Sequence, residues 1–251
     1  EELDIIILGT SSPDRNYPSD ACSVQAAIGA VNAVAFDISA ACAGFIFAMN
    51  IVEGFFKAGI YKTALIIGAE TLSKVTDWSD RGTCVLFGDG AGAAVLKAEE
   101  TGIIDMMMGA DGTKGDVLAC TSRTVGNFLT GTKPELGFMT MDGQEVFKFA
   151  VRKVPESVME LLQRTGTKKE DIKYYVLHQA NERIIEAAAR RLKEPMEKFP
   201  MTIGQFGNTS TASIPLLLDD MIRKDMLKRG DKIIMSGFGA GMTWGAVLME
   251  W

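Results

Sequence analysis

The sequence predicts an α/β protein on a mostly parallel sheet, from three observations. Short runs rich in Val, Ile and Leu alternate with longer helical stretches, several of those runs end in glycine, and the apolar fraction of 47% against 23% charged is that of an ordinary globular core. In order, residues 4–9 read as a buried strand and residues 20–28, behind Ser19, as a capped helix. Residues 34–38 are strand-like, residues 43–57 form a strongly apolar helix stopped at Gly59, and residues 63–68 are another short strand. Residues 86–96 and 103–108 add strands, and residues 113–140 are a polar, Gly-rich loop. Residues 142–164 are helical, with Asp142 as N-cap and Glu145 completing a capping box. Then come a strand at 174–177, helices at 181–193 and 209–224, and strands at 232–236 and 244–250. The segments Phe87-Gly-Asp-Gly-Ala-Gly-Ala-Ala-Val-Leu96 and Phe238-Gly-Ala-Gly-Met-Thr-Trp-Gly-Ala-Val-Leu248 look alike, a weak sign of internal duplication.

Composition excludes several classes. A net charge of −6 over 251 residues argues against general nucleic-acid or anionic-membrane binding. The longest uncharged run, residues 199–218, carries Gln205, Asn208, two Pro and five Ser or Thr, so no membrane span is expected. No basic and apolar leader opens the sequence, so a cytoplasmic protein without a secretory signal is expected. The four cysteines form no C-x-x-C pair and there is one histidine, which suits free thiols and argues against a metal site. A single histidine also excludes any mechanism that needs two.

Three residues at element junctions carry candidate chemistry. Cys42, in Ile38-Ser-Ala-Ala-Cys-Ala-Gly-Phe45, falls where a strand meets a helix N-terminus. The positive end of the helix is expected to lower its thiol pKa, and small neighbours let a carbonyl approach the sulfur. His178 ends a strand before a helix, at the carboxyl edge where α/β sites gather. Asn208 likewise precedes a helix. Singly they read as a buried thiol, a structural histidine and a turn residue. Together they form a minimal set for nucleophilic catalysis on a thioester.

Ala41-Cys-Ala-Gly-Phe45, Asp80-Arg-Gly-Thr83, Phe87-Gly-Asp-Gly-Ala-Gly92, His178-Gln-Ala-Asn181, Gly207-Asn-Thr-Ser210 and Phe238-Gly-Ala-Gly-Met-Thr-Trp-Gly245 span essentially the whole chain. In these segments the chain resembles the β-ketoacyl-acyl-carrier-protein synthase III family of the thiolase superfamily. The resemblance implies a thiolase-like layered αβαβα fold of two similar halves, 1–101 with Cys42 and 102–251 with His178 and Asn208. The first half is expected to be truncated at its N-terminus, since the chain opens at what resembles the family's third strand; a chain so shortened is expected to bind CoA weakly.

The implied activity is decarboxylating condensation of a primer acyl-CoA, acetyl-CoA by expectation, with malonyl-acyl-carrier protein. Its product is 3-oxoacyl-acyl-carrier protein, which initiates fatty-acid synthesis. Cys42 would carry the acyl group, the backbone N–H groups of Cys42 and Ala240 would form the oxyanion hole, and His178 and Asn208 would stabilise the enolate. At position 240 the family often has Gly. By the same resemblance Arg81, Phe147, Asn181 and Arg183 contact CoA or pantetheine. Lys148, Arg152, Arg183, Arg190 and Arg191 would dock the acidic carrier protein. No cofactor is implied beyond the CoA thioester substrate, and a homodimer is. The alternatives are an initiating ketosynthase of secondary metabolism with an unusual primer and a non-catalytic fragment or scaffold.

Overall fold

The computed structural model describes residues 2–122, 124–135 and 137–251. Its strands fall into two four-stranded sheets and a small hairpin. The first sheet holds β1 (Ile5–Gly9), β2 (Val34–Ile38), β3 (Thr63–Glu70) and β4 (Gly90–Lys97), in the order β2-β1-β3-β4. The second holds β5 (Ile103–Ala110), β8 (Ile172–Leu177), β9 (Lys232–Gly239) and β10 (Thr243–Glu250), in the order β5-β10-β9-β8. The hairpin pairs β6 (Leu118–Cys120) with β7 (Met139–Met141), across most of the stretch 113–140 that the sequence reads as a loop.

Side-chain alternation along the strands sets the layering. In β1, Ile5 and Ile7 join one core while Ile6 and Leu8 join another. In β9, Ile233 and Met235 face inward to the first of these cores while Ile234 and Phe238 face a third. The central strands β1, β9 and β10 are thus covered on both faces, which is why they read as continuous apolar runs, while β2, β4 and β5 keep exposed positions. Between the sheets lie α2 (Gly44–Lys57) and the C-terminal helix α6 (Ser213–Arg223), whose Phe45, Ile46, Val52, Ile214 and Leu217 meet both. The outer layers are α1 (Asp20–Ala27) on the first sheet, and α3 (Gly143–Thr165) with α4 (Glu182–Leu192) on the second. The short α5 (Ile203–Phe206) completes the helices of this αβαβα stack. Each fully buried Ile or Leu adds about 1.5–3 kcal/mol, so the twelve largest side chains under 2% exposed, mostly Ile and Leu, anchor the layers.

The sheets are less parallel than expected. β2, β1 and β3 run parallel and so do β8 and β9, but β4 is antiparallel to β3, and β10 to both β9 and β5. The tight turn Ala240–Met242 between β9 and β10 forces the reversal, because a short hairpin can join only antiparallel strands. The strand expected at 86–96 begins only at Gly90, since Leu86 and Gly88 spend their backbone groups on Asn208.

Two caps also differ. Ser19 makes no side-chain cap bond; the Asp37 carboxylate accepts from Asp20 N and Ala21 N instead, at 2.7 and 2.8 Å. Asp142 does cap α3, accepting from Gln144 N and Glu145 N. Glu145 does not close the box: it pairs with Lys148 at 2.7 Å, and Asp142 N donates to Val117 O.

Candidate active site

Cys42 sits in a 3-10 turn, Ala41–Ala43, that runs directly into α2, so it precedes the free N–H groups of that helix as expected. Ala41 adopts a left-handed φ of 44°, a conformation unfavourable for alanine. Thr211 holds it there, the single hydrogen of its Oγ1 shared between Ala41 O at 2.8 Å and Glu70 Oε1 at 3.0 Å. The end of β9 closes over the turn. A Cβ on Gly239 would stand 2.6 Å from Cys42 N, so only glycine allows this approach.

His178 leaves the end of β8, its N–H bonded to Ser236 O at 2.8 Å. It is 2% exposed, its ring stands edge-on to Phe238 at 5.3 Å, and Nε2 has no partner. Asn208 is fixed by its backbone between Leu86 O and Gly88 N, at 2.9 and 3.0 Å. Its Oδ1 accepts from Ser210 N at 2.9 Å, so the Nδ2 donor is the end left for a ligand. Cys42, His178 and Asn208 line one cavity of about 120 Å³ with Leu86, Phe87, Phe238 and Gly239. Three residues remote in sequence and supplied by both halves therefore converge as expected.

The electrostatics correct one expectation. The helix N-terminus does not leave Cys42 acidic: burial, with a smaller opposing hydrogen bond from Ser210 and a further push from the Glu70 charge, drives its thiol up to about 12. Burial also pushes His178 down to about 3. At neutral pH the site thus holds a thiol and an uncharged imidazole. Because the folded thiol titrates above the free value of roughly 8.5, its thiolate fraction keeps growing through pH 8–10. Iodoacetamide alkylation of Cys42, followed by peptide mass analysis, is expected to rise about tenfold per pH unit across that range. A plateau near the free-thiol value contradicts the burial described here.

Of the other expected contacts, Phe147 and Asn181 line the cavity, and Phe147, 37% exposed, marks its rim. Arg81 and Arg183 are exposed and lie outside the lining. Arg81 rides on a turn fixed by Asp80, which accepts from Gly82 N and Thr83 Oγ1, both at 2.8 Å. Ala240 follows Gly239 at the start of the hairpin turn.

Two residues escape sequence reasoning. Glu70, 5% exposed, accepts from Thr10, Ser11 and Ser12 on one oxygen and from Ser210 and Thr211 on the other. It ties the exit of β1 to the Asn208 turn behind Cys42. Ser213 bonds the back of the His178 ring. The hydroxyl-rich runs at 10–12 and 209–213 are the only sequence signal for either.

Comparison with known proteins places this geometry. Residues 36–112 match the 3-Oxoacyl-[acyl-carrier-protein (ACP)] synthase III family and residues 162–251 its C-terminal counterpart. The chain is 51% identical to the β-ketoacyl-[acyl-carrier-protein] synthase III of Clostridium acetobutylicum over 253 residues, covering 100% of this chain and 78% of the relative. The chain belongs to the synthase III family. The synthase III of Clostridium novyi is similarly close, at 53% identity and the same coverage. The crystal structure of the synthase III from Aquifex aeolicus superposes with a TM-score of 0.91 at 46% identity, covering 100% of this chain and 78% of that one. As a synthase III the chain is a β-ketoacyl-acyl-carrier-protein synthase, an acyltransferase of fatty-acid biosynthesis with the thiolase-like α/β fold. Among the described residues no helix is long and apolar enough to cross a membrane.

Proposed function

We propose that Cys42, His178 and Asn208 are the catalytic residues of this synthase III, acting on a primer acyl-CoA and malonyl-acyl-carrier protein. The observation that carries the reading is a buried nucleophile facing two side-chain nitrogens with no protein partner, His178 Nε2 and Asn208 Nδ2, across one small cavity.

In the first half-reaction the Cys42 sulfur attacks the acyl-CoA carbonyl. The C–S bond to CoA breaks, and the proton lost by Cys42 ends on the released CoA thiol. The Cys42 and Ala240 N–H groups hold the oxyanion. In the second, His178 and Asn208 donate to the malonyl thioester carbonyl while carbon dioxide leaves, and the enolate carbon attacks the acyl-Cys42 carbonyl. The Cys42 sulfur departs as the thiolate and takes a proton from solvent, and 3-oxoacyl-carrier protein is released. Both donors are in place before substrate arrives, so no reorganisation is needed at the transition state. Phe147 and Asn181 line the pantetheine path, with Arg81 and Arg183 further out toward the phosphates. Acetyl-CoA is the expected primer. Incubation with acetyl-CoA followed by digestion and mass analysis should place the acetyl group on Cys42; an adduct on Cys22, Cys84 or Cys120 defeats the assignment.

The carrier protein docks, in this reading, on the packed pair α3 and α4, which carry Lys148 and Arg152 on the one helix and Arg183 and Arg190 on the other. Glu145 and Glu186 pair with Lys148 and Arg190 and temper the charge. Arg191 has a second role: it donates to Val151 O at 2.9 Å and ties the helices together. Reversing Arg152 and Arg190 to Glu should therefore raise KM for malonyl-carrier protein, more at low salt than at high, and leave acetyl-CoA kinetics unchanged. Equal effects on both substrates would make these residues structural. A homodimer belongs to the same reading.

A further inference from the structure

The hydrogen bonds at the back of the His178 ring favour one tautomer. Ser213 opens α6 and is 2% exposed. Its Oγ lies 2.6 Å from His178 Nδ1 and 3.3 Å from Gln179 N. A backbone N–H can only donate, so Ser213 Oγ accepts from Gln179. Among the described residues Nδ1 is the one partner within reach of the hydroxyl hydrogen, and in that arrangement it accepts. With Nδ1 accepting, a neutral ring carries its proton on Nε2, the buried nitrogen that has no protein partner and lines the cavity. The opposite tautomer aims two donors at Ser213 Oγ and leaves its hydrogen without a recorded acceptor. It also turns a lone pair toward an incoming thioester oxygen.

We infer that Ser213 is a positioning residue that selects the Nε2–H tautomer of His178, and so makes the histidine a hydrogen-bond donor before substrate binds. This rests on the donor role given to His178 above. The pathway runs from the first turn of α6 through the ring to the carbonyl. Burial supports it by holding the ring down to about 3, so that an uncharged tautomer, and not an imidazolium, must supply the donor.

His178 is the only histidine in the chain, so a nitrogen NMR spectrum of protein labelled with ¹⁵N-histidine reports this ring alone. The wild-type protein is expected to show a pyrrole-type Nε2 and a pyridine-type Nδ1, unchanged through neutral pH. Ser213→Ala should move both resonances toward averaged values. It should also lower malonyl-thioester decarboxylation about tenfold, the worth of one such hydrogen bond, with KM and acetylation of Cys42 unchanged. Ser213→Thr, which keeps the hydroxyl, should restore spectrum and rate. A wild-type spectrum with the proton on Nδ1 overturns the inference whatever the variants do, as does a Ser213→Ala protein with both spectrum and rate intact. If the spectra behave as expected but His178→Ala still decarboxylates, the catalytic reading of His178 fails and the tautomer assignment stands.

Discussion

His178→Ala and Asn208→Ala are each expected to lower malonyl-thioester decarboxylation by about a hundredfold or more, while Cys42 is still acetylated by acetyl-CoA. The asymmetry follows from which atoms each step uses. Acetyl transfer needs the Cys42 sulfur and backbone N–H groups, which neither substitution removes. Decarboxylation needs a place for the enolate charge, which in the proposed mechanism falls to Nε2 and Nδ2. Asn208→Ala also deletes the acceptor for Ser210 N, so Asn208→Asp is the cleaner variant: it keeps that bond and removes the donor. Carbon dioxide release measured beside acetylation by mass separates the steps. Loss of acetylation with decarboxylation intact would contradict the assigned roles.

Gly68→Ala is expected to destabilise the protein by about 3 kcal/mol, the upper range for overpacking, and to lower Tm by roughly 6–12 °C for a chain of this size. Gly68 lies in β3 against the 3-10 turn Ser210–Ala212, and a Cβ there would stand 2.3 Å from Thr211 O. Both walls are backbone, so neither can swing aside as a side chain would. Any relief moves Thr211, and with it the bonds to Ala41 O and Glu70 that hold the Cys42 turn. Gly54→Ala is the control. It sits on the exposed side of α2 with nothing within 4 Å of the added methyl, so better helix propensity should stabilise it by about 0.5–1 kcal/mol. Thermal melting of both variants decides the matter; equal melting temperatures would show that the close approach is not enforced.

The layers and the three converging residues were legible because each rests on local chemistry. The two-faced strands announce themselves as unbroken apolar runs, and Cys42, His178 and Asn208 each occupy a junction flanked by small residues. The strand directions were harder to read, since a run such as that of β10 looks the same parallel or antiparallel; only the tight turn before it decides. Glu70 was invisible for a different reason. A glutamate closing a strand reads as a solvated end, and its burial depends on donors from residues 10–12 and 210–211 that meet only in the folded chain. The acidity of Cys42 was misjudged because a helix terminus is a sequence feature, whereas desolvation is a property of everything packed around the sulfur.

The corner Phe238–Gly239 that closes over Cys42 also sets a clock. About 200 residues separate that corner from the cysteine, so at roughly 5–20 residues per second the ribosome takes on the order of 10–40 s to deliver it. Throughout that interval the nascent sulfur lacks its covering wall and titrates as an ordinary thiol, so it is more thiolate, and more readily oxidised, than in the folded enzyme, where burial keeps it protonated. The nucleophile is therefore most exposed to oxidation while the chain is still being made, before β9 docks over it.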